Sequence, residues 1–379
     1  MTIKLKVAVV GCGDIAERRH IPAFLRQTKN VYIGALCDTN LSIAGKVSKK
    51  FNIPHVYQDV DKLLEKEEPD ILDICTPPRT HAMIAKEALK LGCHVLVEKP
   101  MALSLSYCDE MIYWSKKYKR KLCIVHNQRF YPPVIKAQQL IKNGSIGKLT
   151  NMNIVCSVPS SQYIGIKDHW INRLPGGPVE ECGSHPIYLA IAFLGSIIDV
   201  EVIARKTSSY PWGSLDNYDI QLKGDKASCH ITNSYGGNYS AFYIDIIGTE
   251  GTIRIDIQSM TLVWSKGVNV TPLKSSIRSS GIKLTMDSLN LATQLLSNVF
   301  SNSFAALSGK TFVSHNILIE EFVNSIINCT EIPVPPEEGK ETIRVLEEIV
   351  LQLQNVDQRT SALTLKVFAP DIRCLKMYT

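Results

Sequence analysis

The 379-residue sequence contains 11 cysteines but no Cys-x-x-Cys pair and no cysteine spacing typical of a zinc site. Several of these cysteines lie in apolar, strand-like runs, where cysteine behaves as a small hydrophobic residue. The opening MTIKLKVAVVGCG leads directly into a strand and a glycine turn, without the apolar region and cleavage site of a signal peptide. We therefore expect a cytoplasmic chain with reduced cysteines and no bound metal.

Long hydrophobic runs and long basic runs are also missing. The longest apolar stretch, IYLAIAFLGSII (187–198), is about half the length that a membrane span requires, so it predicts a core helix and argues against a membrane partner. The 42 basic and 36 acidic residues give a net charge of +6 that is spread along the chain, which argues against nucleic acid as a partner. A length of 379 residues suits two globular domains.

The first third of the chain alternates short β-rich runs with helix-like stretches such as HAMIAKEALKLG (81–92). Near-continuous apolar strands joined by helices predict a doubly wound parallel sheet, that is, an α/β domain over residues 1–126. The predicted strands cover residues 4–10, 31–37, 71–75, 94–98 and 121–125.

The pattern changes in residues 127–379, which we interpret as an α+β domain that binds substrate and forms oligomers. Seven strand-like runs lie between 149 and 264, and GTIRIDI (251–257) alternates apolar with polar residues as in an antiparallel sheet with one wet face. The predicted helices cover residues 132–143, 186–195, 315–328 and 337–353. The role of segment 266–310 stays open, although apolar residues at helical spacing from Ala292 to Phe304 favour a helix packed on its own domain over a membrane-surface element.

A glycine motif follows the first predicted strand. VAVVGCGDIA places Gly11, Gly13 and Ala16 in a G-x-G-x-x-A pattern between a strand and a helix, the arrangement that brings backbone N–H groups to a dinucleotide pyrophosphate. Asp38 ends the next strand, where a carboxylate accepts hydrogen bonds from a ribose diol and repels a 2′-phosphate. The motif predicts NAD rather than NADP as cofactor, held by Gly11, Gly13, Asp14, Ile15 and Asp38.

Charged residues stand at two further places where apolar segments end. HVLVEKP (94–100) finishes a predicted strand with Glu98 and Lys99, and Pro100 fixes the local backbone, through a cis or a trans bond, so that the lysine is aimed at the ligand crevice. In LPGGPVEECGSHPIYLA (174–190), Glu181 and His185 share a face if the backbone is helical there. Pro186 fits best in the first turn of a helix, so a helix that starts as late as Ser184 stays open as the alternative. A carboxylate beside an imidazole orients the ring and raises its pKa. Taken alone, each of these residues is more often a surface salt bridge or a helix cap.

Together these residues resemble the Gfo/Idh/MocA family, named for glucose-fructose oxidoreductase and inositol dehydrogenase. The resemblance rests on GCGDIA, on CTPPRTHAMIAKEALKLGCHVLVEKPMALS (75–104) and on GGPVEECGSH (176–185), with further matches at 126–132, 143–149 and 246–256. It implies a Rossmann domain, a second domain with an open antiparallel sheet that joins a homodimer or homotetramer, and nicotinamide-dependent oxidation or reduction of a sugar or cyclitol.

The resemblance also implies roles for individual residues. Lys99 takes the place of the catalytic lysine, His185 that of the acid/base, and Glu181 that of a substrate-contacting Asp. Arg129 matches an arginine that reaches the substrate, and the loop 157–173 offers further substrate contacts. The cofactor contacts implied are Thr76, His81, Glu98, Lys99 and Asn127, and the loop candidates are Tyr163, Lys167, His169 and Trp170.

Three positions depart from the family pattern. Glu181 replaces Asp, Pro78 stands where an Asn is common, and Pro178 replaces the third glycine of a GGG turn. None of these changes removes a proton carrier, so activity is expected while the preferred substrate stays open. Two alternatives also stay open: a glycoside hydrolase that uses bound NAD for transient oxidation, and a regulatory protein that binds NAD without turnover.

Overall fold

The computed structural model describes residues 4–174, 176–213, 215–266, 277–307 and 314–367. Six strands in the first third are β1 (Leu5–Val10), β2 (Val31–Cys37), β3 (His55–Tyr57), β4 (Ile71–Ile74), β5 (His94–Val97) and β6 (Leu122–Ile124). They form one parallel sheet in the order β3-β2-β1-β4-β5-β6. The order reverses between β1 and β4, so a crevice opens at the carboxyl ends of these two strands.

Helices connect the strands of this parallel sheet. They are α1 (Ile21–Leu25), preceded by a π-helical turn at Ala16–His20, α2 (Leu41–Phe51), α3 (Val60–Glu67), α4 (His81–Lys90) and α5 (Leu105–Tyr118). Every residue of β4 is buried, and so are the last four residues of β1. The strands are mostly apolar because helices cover both faces of the sheet, and Asp73 of β4 is a buried exception.

A second sheet is formed by β7 (Leu149–Ser157), β8 (Ile197–Arg205), β9 (Asn217–Gly224), β10 (Ser228–Ser234), β11 (Ala241–Gly248), β12 (Gly251–Asp256) and β13 (Thr261–Lys266). Its order is β13-β12-β11-β7-β10-β9-β8, and among the described pairs β7 and β10 are parallel while the others are antiparallel. Alternate residues of β12 are buried, as the period-two pattern predicts. The fold class is therefore confirmed.

The remaining helices are α6 (Pro132–Lys142), α7 (Pro178–Cys182), α8 (Ser184–Leu194), α9 (Ile277–Leu307), α10 (Ser314–Ile327) and α11 (Pro336–Val367), with short 3₁₀ turns at Pro78–Thr80, Asn127–Phe130, Ser160–Gln162 and Trp170–Arg173. Helix α11 packs against α8 and β8, and α10 packs against α1. Among the described residues, no helix is both long and apolar enough to cross a membrane.

Most predicted elements are present at or near their predicted bounds. The three-residue strand β3 was not predicted because it is too short to show an apolar period. Of the two alternatives for Glu181 and His185, the structure has the helix that starts at Ser184: Gly183 separates α7 from α8, so the two residues lie on different helices. The domain division at 126/127 stays a prediction.

Candidate active site

The glycine turn after β1 lies against the end of β4. Gly11 has a φ of +89°, and a Cβ atom there would come within 2.7 Å of the backbone carbon and oxygen of Cys75. Only glycine fits this position, because both the left-handed φ and the close backbone approach exclude a side chain. At Gly13 a Cβ atom would meet nothing within 4 Å, so a ligand has room to approach the backbone.

A cavity of about 990 Å³ opens beside this turn. Asp38 accepts hydrogen bonds from the backbone N–H groups of Cys12 and Asn40, both at 2.8 Å, so its carboxylate is held at the cavity wall. The residues predicted to hold the dinucleotide that line this cavity are Gly11, Gly13, Asp14, Ile15, Asp38 and Thr76. The size of the cavity, the open glycine and the fixed carboxylate fit a dinucleotide.

A second cavity, of about 460 Å³, shares Ile15 with the first. Lys99 reaches it from the end of β5, and His185 reaches it from the first turn of α8. Glu98 and Asn127 line the same cavity. The bond between Lys99 and Pro100 is cis. The structure thus brings together the two side chains, lysine and histidine, for which the sequence predicted proton chemistry.

Lys99 forms an ion pair with Glu181, with 3.0 Å between Nζ and Oε1. Burial alone would lower the pKa of Lys99, but the carboxylates of Glu181 and Glu98 outweigh it and hold the pKa above its ordinary value. The prediction that Glu181 orients His185 is therefore wrong, because its carboxylate bonds the lysine instead.

His185 is held by Tyr188, whose hydroxyl oxygen lies 2.8 Å from Nδ1. Tyr188 is fully buried and stacks on His126, with ring centroids 4.3 Å apart. Burial and, after it, the positive charge of Lys99 lower the pKa of His185 to about 3. The expectation of a raised pKa is thus wrong, and at neutral pH the imidazole is neutral and able to accept a proton.

The structure also shows a buried cluster that the sequence did not predict. His20 lies between two carboxylates, with Nδ1 3.0 Å from both carboxylate oxygens of Asp73 and Nε2 2.9 Å from Glu98 Oε1. His315, from α10, lies 3.7 Å from the same Glu98 oxygen. Burial opposes the charges, but the Asp73 carboxylate raises the pKa of His20 well above its ordinary value. A charged Asp73 in an otherwise apolar strand was the available sequence sign of this cluster.

This cluster bears on metal binding as well. His20, Glu98 and His315 each offer one ligand atom, and these atoms lie within 4.8 Å of one another. Two imidazoles and a carboxylate are a set that transition metals accept. In the structure, the imidazoles of His20 and His315 instead act as hydrogen-bond donors to Glu98. Burial alone would raise the pKa of Glu98, but these imidazoles hold it below the ordinary value. The expectation of no metal stays a prediction.

Other predicted site residues lie outside the lining of the lysine cavity. His81 is fully buried and bridges two loops, with ring nitrogens 2.7 Å from the Thr76 carbonyl and 3.1 Å from the Pro100 carbonyl. It therefore positions the loops on either side of the crevice. Arg129 forms an ion pair with Glu338 of α11.

The predicted substrate loop is described in part. The rings of Tyr163 and His169 contact each other edge to face, with centroids 5.6 Å apart. Neither residue lines the lysine cavity. The side chain of Trp170 lies outside the described part of the structure. The role of all three in substrate binding stays a prediction.

Comparisons with known proteins agree with this geometry. Residues 5–126 match the model of the GFO/IDH/MocA oxidoreductase family with an NAD-binding Rossmann fold, and residues 134–254 match the GFO/IDH/MocA C-terminal domain. The chain is 28% identical to the D-glucoside 3-dehydrogenase of Escherichia coli K12, over 50% of this chain and 54% of that protein. It therefore spans about half the length of that relative.

Two solved structures show the same fold. The WlbA dehydrogenase of Bordetella pertussis, in complex with NADH and UDP-GlcNAcA, aligns with a TM-score of 0.71 and 18% identity over 94% of this chain and 97% of that one. An Agrobacterium radiobacter oxidoreductase, in complex with NAD⁺, L-tartaric acid and magnesium, aligns with a TM-score of 0.71 and 20% identity over 91% and 95%. Since the two family models together match more than half of its residues, the chain belongs to the Gfo/Idh/MocA family of oxidoreductases.

Proposed function

We propose that the protein is an NAD-dependent dehydrogenase that transfers hydride between nicotinamide and a secondary hydroxyl or ketone of a sugar, nucleotide sugar or cyclitol. The observation that carries the proposal is the position of Lys99 and His185, which line one cavity beside the glycine-turn cavity. When bound, the dinucleotide supplies the hydride acceptor for oxidation or the donor for reduction. Membership in the family and the named relatives support this class of substrate.

His185 is the proton carrier in this proposal. Burial and the charge of Lys99 lower its pKa to about 3, so the imidazole is neutral and we assign to Nε2 the lone pair that accepts the proton of a substrate hydroxyl as the carbon is oxidised. A ring of this low pKa is a weak base, so it passes the proton on and does not retain it. In the reverse direction the same nitrogen returns the proton to the alkoxide.

Lys99 stabilises the oxygen from which the proton leaves. Its pKa lies above the ordinary lysine value, so it is an ammonium group throughout the neutral range. A fixed positive charge in a water-poor cavity stabilises a developing oxyanion more strongly than it would in water. Glu181 keeps the ammonium in place through the 3.0 Å ion pair.

Asp38 supports the proposed preference for NAD. Its carboxylate is fixed by two backbone N–H groups at the wall of the glycine-turn cavity, where Asp59 and Asp61 add negative charge. Arg79 also lines this cavity. With Asp14 and Glu87, five carboxylates line this cavity against one guanidinium, and this charge balance disfavours the additional phosphate of NADP.

Steady-state oxidation assays test the proposed function. The assay measures NADH formation with a panel of hexosides, nucleotide sugars and cyclitols. We expect His185→Ala and Lys99→Met each to lower kcat by roughly 100-fold or more. His230→Gln is the matched control, since His230 lies on the second sheet and its side chain is 44% exposed. Unchanged turnover in both site variants, with an active wild type, would refute these roles.

The same assay separates the alternatives. Release of an aryl aglycone without net NADH would support the glycosidase, and NAD binding without turnover of any substrate in the panel would support the regulatory protein.

A further inference from the structure

Helix α9 packs on the second sheet through its polar side. It runs along the edge strand β13, where the side-chain amide of Gln294 both accepts from the Trp264 N–H and donates to the Trp264 carbonyl, each at 3.0 Å. One helical turn further on, Asn298 donates to the Leu262 carbonyl at 2.8 Å. These amides replace the neighbouring strand that an edge lacks, so the sheet ends at β13.

The apolar side of α9 points away from the protein. This reverses the usual arrangement, in which a surface helix buries its apolar stripe and exposes its polar one. The prediction that the helix packs on its own domain is right, but the packed face is the polar one. The exposed fractions are 66% for Met286, 65% for Leu289, 57% for Leu296, 72% for Phe300, 73% for Phe304 and 89% for Leu307.

These apolar residues follow a spacing that pairs helices. Alternating steps of three and four residues connect seven positions of α9, five of them apolar and two polar. In order they are Met286, Leu289, Thr293, Leu296, Phe300, Ser303 and Leu307. Such a repeat makes a seam along one side of a helix, as in helices that pack against each other, and Leu295 and Val299, 45% and 53% exposed, widen the apolar face beside it. We call these seven residues the α9 seam.

We propose that the α9 seam is a dimer interface in which α9 of one copy packs against α9 of a second copy of this chain. Charge favours a second copy as the occupant. Asp287 is the single charged residue between 285 and 307, so two such helices meet without like-charge repulsion along the seam. A lipid-surface helix instead carries lysine and arginine along its polar face, whereas Arg278 and Lys283 lie near the start of α9 and residues 285–307, whose polar side bonds β13, contain neither residue type.

The available area is sufficient for a stable pair. If each of the five apolar side chains of the seam and the adjacent Phe304 loses on the order of 100 Å² to the partner, one copy buries about 600 Å² and the pair about 1,200 Å², the lower end of specific interfaces. This surface differs from the open face of the second sheet, through which the family resemblance implies oligomers.

Light scattering coupled to size exclusion tests the proposal on the full chain. We expect the wild type to form a dimer through the α9 seam. The double substitution of Leu296→Glu with Phe300→Glu should abolish this dimer by raising its dissociation constant roughly 100-fold or more. Both side chains are exposed, so circular dichroism and thermal unfolding should show a folded variant. Leu91→Glu is the matched control, because Leu91 is 63% exposed at the C-terminal end of α4, away from both α9 and the second sheet.

A mixing experiment identifies the two partners. Equal amounts of the double-glutamate variant and a Leu296→Lys, Phe300→Lys variant should restore the dimer mass if α9 meets α9. An unchanged mass in the double-glutamate variant would overturn the proposal, as would a monomeric wild type at tens of micromolar. Flotation of a monomeric wild type with phosphatidylglycerol vesicles would assign the seam to a membrane and would also overturn it.

Discussion

The Nδ1 atom of His185 lies 2.8 Å from the hydroxyl oxygen of Tyr188, one turn further along α8. The Gln128 N–H donates to the same oxygen at 3.1 Å, and the Tyr188 hydroxyl donates its only proton to Asn127 Oδ1 at 3.4 Å. The remaining partner, His185, must then donate from Nδ1. Its Nε2 is left with a free lone pair, which is the tautomer that a general base needs.

Tyr188→Phe should therefore reduce catalysis without weakening substrate binding. The variant leaves His185 free to adopt the other tautomer, so we expect kcat to fall roughly 10-fold while KM changes little. Steady-state kinetics measure the effect, and ¹⁵N NMR of the imidazole reports the tautomer. Because Tyr188 is fully buried, thermal unfolding must accompany the assay. A wild-type kcat together with an unchanged tautomer would show that the hydroxyl only packs.

The pH dependence of kcat/KM should reveal the depressed pKa of His185. The pKa of His185 is about 3, so its imidazole stays deprotonated even at a pH well below the ordinary pKa of histidine. We expect no acid limb from this residue between about pH 5 and 9, whereas an unperturbed histidine would give one near pH 6.5. The comparison is with His185→Gln. A limb near neutrality that disappears in this variant would contradict the assignment.

Local sequence patterns predict most of the fold but less of the site. Five strands of the parallel sheet were recognisable because burial on both faces makes them mostly apolar, and Gly11 because a strand, a turn and a helix follow in order. The ion pair between Lys99 and Glu181 joins residues 82 positions apart, and the contact between His20 and Glu98 spans 78. Such contacts depend on how distant elements pack, and the local spacing of apolar residues carries no information about that packing. The break at Gly183 was one of two alternatives, since Pro186 allowed a helix start at Ser184 but glycine does not by itself end a helix.

Asp38→Asn should weaken discrimination between the two nicotinamide dinucleotides. The amide keeps an oxygen that can accept from the Cys12 N–H, while the negative charge at the ribose end of the cavity is lost. We expect KM for NAD to rise roughly 10-fold and KM for NADP to fall, since a charged hydrogen bond and a repulsion are removed together. Steady-state kinetics measure both KM values, and fluorescence titration with each reduced dinucleotide measures the matching change in affinity. Equal preference in wild type and variant would show that Asp38 only holds the turn.

Asp73→Asn should destabilise the fold. Asp73 and His20 are both fully buried, and the change removes one of the two carboxylates that His20 contacts and leaves Glu98 as the other, at a cost of about 2 kcal/mol in the free energy of unfolding. Asp245→Asn is the control, because its partner Arg254 is 63% exposed and such a pair contributes about 1 kcal/mol or less. Urea unfolding followed by circular dichroism compares the two. Equal losses would contradict a special role for the buried pair.

Glu181→Gln should move the alkaline limit of activity. Burial disfavours the Lys99 ammonium, and the Glu181 carboxylate is the strongest of the charges that oppose this effect and raise the pKa. Without that charge, the lowering of the Lys99 pKa by burial is opposed less strongly. The pKa of Lys99 therefore falls, and the ammonium is lost at lower pH. In the wild type, activity should persist to above about pH 10, the range set by an ordinary lysine. In the variant, kcat/KM should decline at a lower pH than in the wild type.

Glu201→Gln, on the exposed side of β8, is the control and should leave the pH profile unchanged. An identical alkaline limb in wild type and Glu181→Gln would mean that Lys99 keeps its charge without Glu181, and that this carboxylate serves the substrate alone.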